Sequence, residues 1–87
     1  VKSGKLGINT SGIDANYALT LGSGLKITNT GTQPTLYLED ESGDTTPFVI
    51  DADGNVGIGT STPSEKLDVA GNIKASGQIS ANELCIG

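Results

Sequence analysis

Few side chains in this sequence can fill a core. Of 87 residues, 23 are large and apolar (Val, Ile, Leu, Phe or Tyr), three of those are aromatic, and there is no Trp or Met. Aromatic rings bury the most area per residue, so any interior is thin and aliphatic. A single Cys excludes an internal disulfide framework, and the absence of His disfavours a structural zinc site. Association with identical chains is the remaining remedy for a small, core-poor domain. The 13 Gly, together with 24 Thr, Ser and Asn, suit short strands joined by tight turns, an all-β chain.

An approximate internal repeat sets the organisation. Leu6-Gly7-Ile8-Asn9-Thr10-Ser11 matches Val56-Gly57-Ile58-Gly59-Thr60-Ser61 at an offset of 50. Leu19-Thr20-Leu21 followed by Leu25-Lys26 matches Leu67-Asp68-Val69 followed by Ile73-Lys74 at an offset of 48. Repetition on this scale predicts an extended architecture in which each unit contacts its neighbours. The divisions are residues 1–30 as a first β repeat unit, 31–54 as connecting strands and a hairpin, and 55–87 as a second β repeat unit, all one continuous segment.

Local patterns are mostly β. Leu19-Thr20-Leu21, Leu25-Lys26-Ile27 and Leu36-Tyr37-Leu38 alternate with period two. Phe48-Val49-Ile50 and Asn55-Val56-Gly57-Ile58 flank Asp53-Gly54, which predicts a hairpin with a type I′ turn at Asp53 and Gly54. Pro34 and Pro47 fall at strand starts, where a missing N–H is tolerated. Glu41-Ser42-Gly43-Asp44 marks another turn. Ile73, Ala75, Ile79 and Ala81 continue a sparse alternation toward a strand-like Glu83-Leu84-Cys85-Ile86. Thr62-Pro63-Ser64-Glu65 carries a helix-capping pattern, so one helical turn is expected near 63–66 at most. A start at Val1 in place of Met and a strand-like end suggest a piece of a longer protein.

The run Gly54-Asn55-Val56-Gly57-Ile58-Gly59-Thr60-Ser61-Thr62-Pro63-Ser64-Glu65-Lys66-Leu67-Asp68-Val69-Ala70-Gly71-Asn72-Ile73 resembles a motif of phage tail fibres, where it often lies upstream of an endosialidase-type intramolecular chaperone domain. Similar segments occur in bacterial surface fibres. Pro34-Thr35-Leu36-Tyr37-Leu38-Glu39-Asp40 and Pro47-Phe48-Val49-Ile50-Asp51 fit the same families. The resemblance covers residues 34–87 well and 5–27 more loosely. It implies an intertwined homotrimeric β fibre or shaft on the virion or at an extracellular cell surface. The partners implied are the chain itself, neighbouring fibre segments, and a surface glycan or protein receptor met through another part of the fibre. Candidates for the trimer core are Ile8, Leu19, Leu21, Val56, Ile58, Leu67, Val69, Ile73 and Ile79. The alternative function is an adhesin or carbohydrate-binding module, for which the polar Thr28-Asn29-Thr30-Gly31-Thr32 stretch is the feature at hand.

The sequence offers little to catalysis, and no enzyme and no cofactor is expected. There is no His to act as general base, and Cys85 has no activating partner in sequence. Cys85 reads as a small buried hydrophobe, with an interchain disulfide as the alternative. Glu39, Asp40 and Glu41, and Asp51 with Asp53, read as solvated loop acids in the absence of a pocket to separate their pKa values. Asp51-Ala52-Asp53-Gly54-Asn55 resembles the opening of a calcium loop but has Val56 at the sixth place and Thr62 at the twelfth. It reads as a hairpin turn, with weak cation binding by Asp51, Asp53 and Asn55 as the alternative. A net charge of −5 disfavours nucleic acid and anionic membrane, and no membrane insertion is expected.

Overall fold

The computed structural model describes residues 6–8, 12 and 16–87, and of residues 6–8 the backbone alone. Among the described residues, six three-residue strands form two sheets: β1 (Leu6–Ile8), β2 (Leu19–Leu21), β3 (Leu36–Leu38), β4 (Phe48–Ile50), β5 (Val56–Ile58) and β6 (Leu67–Val69). β1 and β2 pair in parallel, and β3 to β6 form a four-stranded mixed sheet in chain order. Its pairings are antiparallel between β3 and β4 and between β4 and β5, then parallel between β5 and β6.

The two motif copies adopt one pairing scheme. Leu6 lies opposite Leu19 and Ile8 opposite Leu21; Val56 lies opposite Leu67 and Ile58 opposite Val69. Residues 9–11 of the first copy lie outside the described residues.

The hairpin between β4 and β5 turns one residue earlier than the sequence suggests. The Gly54 N–H donates to the Asp51 carbonyl at 3.2 Å, so Ala52 and Asp53 occupy the central places, and Gly54 follows at φ 86°. This is the three-residue loop in which a left-handed glycine closes the ladder, in place of a type I′ pair. The Asp51 carboxylate takes the role that local turn geometry leaves open. Its Oδ1 accepts from the Asp53 N–H at 2.9 Å and from the Asn55 N–H at 2.8 Å.

No helical turn forms at 63–66, where the chain is a series of bends. Two interactions displace the helix. The Lys66 carbonyl is captured by the Val56 N–H at 2.8 Å, which starts the β5–β6 pairing. The Ser64 N–H and hydroxyl both donate to Asp68 Oδ2, at 3.1 and 3.2 Å, instead of forming a capping box with Glu65. The strands suggested at 25–27 and 83–86 are also absent. Those segments alternate in sequence but have no neighbouring strand, and residues 70–87 are exposed throughout.

Glycine is required at two places, one inside β5 and one just after it. A Cβ on Gly57 would lie 2.5 Å from the Thr60 carbonyl oxygen and 3.0 Å from Val49 Cγ1, because the 59–66 connection folds back over that face of the sheet. Gly59 has φ 81°, and a Cβ there would lie 2.9 Å from the Ala70 carbonyl oxygen. Gly54 shares the left-handed conformation but faces open space. Gly54→Ala is therefore expected to cost about 1 kcal/mol from backbone conformation alone, and Gly59→Ala clearly more, by urea denaturation of the two variants side by side.

Candidate functional site: an uncovered apolar sheet face

Side chains alternate across a strand, and register then decides which residues share a face. On one face of the four-stranded sheet stand Tyr37, Val49, Gly57 and Asp68. The connection from β5 to β6 crosses this side, and Val49 beneath it is fully buried at 0% exposure. The opposite face carries two rows: Leu36, Ile50, Val56 and Leu67, then Leu38, Phe48, Ile58 and Val69. All eight are apolar. None is buried: Leu38, Ile58 and Leu67 are 52%, 42% and 58% exposed, and the other five are half-buried by their neighbours.

Val49 is the single buried large hydrophobe among the described residues, with Pro47 the other fully buried side chain. Twelve large apolar side chains among the described residues are exposed. The accessible surface is 7341 Å², against about 4,800 Å² for a compact monomer of this mass. The radius of gyration is 16.9 Å, where a compact chain of this length has about 12 Å.

Of the sequence-predicted core candidates, Val56, Ile58, Leu67 and Val69 come together on the open face. Leu19 and Leu21 sit on β2, the first exposed and the second half-buried. Ile73 and Ile79 lie in the strand-free tail, exposed, and the side chain of Ile8 lies outside the described residues. The sequence reasoning missed Leu36, Leu38, Phe48 and Ile50. The alternation of Leu36 and Leu38 and the apolar run at Phe48–Ile50 were visible, but the shared face follows only from the β3–β4–β5 register. Cys85 is a free thiol and exposed, not buried.

The polar loops are organised from within. Asn29 Oδ1 accepts from the Gly31 N–H at 2.9 Å, and its Nδ2 donates to the Gln33 carbonyl at 2.7 Å and to Thr35 Oγ1 at 3.0 Å. The amide group in the candidate glycan loop is thus committed to the loop itself. Between β3 and β4, Asp44 Oδ1 accepts from the Thr46 N–H at 2.8 Å and from its hydroxyl at 3.0 Å, and Oδ2 from the Asp40 N–H at 3.3 Å. Asp40, Glu41 and Asp44 converge so that one carboxylate oxygen of each lies within 4.8 Å of the others. Asp51 and Asp53 form no such group of three among the described residues. The Asp51 carboxylate, with Asn55 Nδ2 also donating to Oδ2 at 3.3 Å, serves the turn.

These bonds favour the charged forms. The Thr46 backbone N–H holds the Asp44 carboxyl below its ordinary value of 3.8, and the Asn55 backbone N–H does the same for Asp51. A depressed folded-state pKa gives stability that is present above pH 3.8 and lost as the pH falls through the lower folded values. Acid titration followed by circular dichroism is expected to show a loss of stability beginning near that pH. The Asp44→Asn, Asp51→Asn double variant should start less stable and lose less.

Among the described residues no helix is long and apolar enough to cross a membrane. In comparisons with known proteins, no family model matches the chain, and no curated protein or solved structure proves similar to it.

Proposed function

We propose that this chain is a structural segment of a homotrimeric fibre, of the phage tail-fibre kind or a similar surface appendage, and that it supports attachment by carrying a receptor-binding part. The observation behind this reading is the uncovered face of eight apolar side chains on a chain whose described residues bury one large hydrophobe. The chain exposes about 2,500 Å² more surface than a compact monomer of its mass, part of it on the strand-free residues 70–87. Three copies turning this face inward form a narrow aliphatic core, the geometry that medium-sized side chains and glycines fit best. The role is mechanical, and neither catalysis nor a cofactor enters it. The segment belongs on a virion or outside a cell. Its neighbours are further fibre segments, and the receptor, a glycan or protein, is met elsewhere on the fibre.

Size-exclusion chromatography with light scattering tests the assembly. The expected result is a species of three times the 8.8 kDa of one chain. A folded species of single mass across the accessible concentration range would overturn the proposal.

A further inference from the structure

The turn between β4 and β5 carries reactive chemistry that the apolar face does not use. Of the six Asp in the sequence, Asp53 alone is followed by glycine, and none of the six Asn is. A side chain on the following residue shields the backbone nitrogen; Gly54 has none, and the place of its Cβ is open space. Ala52, Asp53 and Gly54 are all exposed. The Asp53 carboxylate has no hydrogen-bond partner among the described residues. The carboxylates of Asp44, Asp51 and Asp68 each accept bonds from nearby groups.

An aspartyl carboxyl beside an unshielded amide can close into a ring. The Gly54 nitrogen attacks Asp53 Cγ, the carboxyl hydroxyl leaves with the amide proton as water, and a five-membered succinimide forms. Water then opens the ring at one of its two carbonyls. Attack at Cγ restores aspartate; attack at the backbone carbonyl carbon gives isoaspartate, with the main chain rerouted through Cβ. One water leaves and one returns, so no co-reactant is consumed.

The folded turn opposes this closure. The succinimide has no N–H, so forming it breaks the bond from the Gly54 N–H to the Asp51 carbonyl at 3.2 Å. Asp51 Oδ1 also holds the amides on either side, accepting from the Asp53 N–H at 2.9 Å and the Asn55 N–H at 2.8 Å. The segment that must rotate is thus pinned at both ends, and ring closure waits for local opening.

We infer that Asp53 is a site of spontaneous isoaspartate formation, and that Asp51 sets its rate by holding the turn shut. The product carries an extra backbone atom inside the loop that aligns Ile50 with Val56. The reaction needs one chain only, so its failure leaves the fibre reading untouched.

The test is peptide mapping for isoaspartate after prolonged warm incubation of the full chain. The parent is incubated folded and unfolded in urea, beside folded Asp51→Ala and Asp44→Asn variants checked by circular dichroism. Isoaspartate is expected at Asp53 and at no other Asp, forming about tenfold or more slowly in the folded parent than in the unfolded one. Asp51→Ala should recover most of that factor, as the loss of hydrogen bonds to a charged acceptor implies. Asp44→Asn loosens the loop between β3 and β4 instead and should keep the parent rate. Absence of isoaspartate at Asp53 in the unfolded chain would overturn the inference, as would equal rates in the folded and unfolded parent. Equal rates in Asp51→Ala and the parent, or equal acceleration by both variants, would overturn the role of Asp51.

Discussion

Replacing Gly57 by Val is expected to be the most damaging single change within one chain. The added Cβ meets the Thr60 carbonyl oxygen at 2.5 Å, which is backbone, and Val49 Cγ1 at 3.0 Å, which belongs to the fully buried side chain. Neither neighbour can withdraw cheaply: the carbonyl is fixed by the crossing connection, and Val49 sits beneath it. Overpacking of this kind costs about 1–3 kcal/mol in an ordinary core, and this chain has little else in reserve. Urea denaturation should show the loss as a lower midpoint with an unchanged slope. Gly77→Val is the control, since that position faces open space and should stay within about 0.5 kcal/mol of the parent.

The second large effect concerns assembly. Ile58→Asp places a carboxylate in the middle of the open apolar face, between Phe48 and Val69. In a separated chain the change is mild, because Ile58 is 42% exposed there. In a trimer each copy loses the burial of an aliphatic side chain, about 1.5–3 kcal/mol, and gains an unpaired charge in an apolar seam. Light scattering should therefore report the mass of one chain for Ile58→Asp, while Thr32→Asp in an exposed loop retains three times that mass. A tripled mass for Ile58→Asp would place the interface elsewhere.

These two residues show what could be read in the sequence. Period-two alternation marked Leu19–Leu21, Leu36–Leu38 and Leu67–Val69, a short apolar run marked Phe48–Ile50, and all four are strands. The same alternation at Leu25-Lys26-Ile27 and near residue 84 produced none. Alternation states which side chains would share a face, but a strand also needs a partner edge, which no local pattern supplies. The capping pattern at 62–65 failed for a related reason. A hydrogen bond from Val56, ten residues away in sequence from Lys66, outweighs a local preference. The glycine of Val56-Gly57-Ile58 is a site of close backbone approach. The approaching group is the chain's own Thr60 carbonyl, which no local pattern marks, because it depends on where the connection after β5 crosses.

The crossing of that connection on only one side of the sheet has a consequence for growth. A tile padded on one surface and bare on the other cannot stack into an endless pile, because a second layer would find nothing to adhere to. Under the proposed trimer, copies that meet bare side inward use up their stickiness among themselves, and what remains outside is the padded surface.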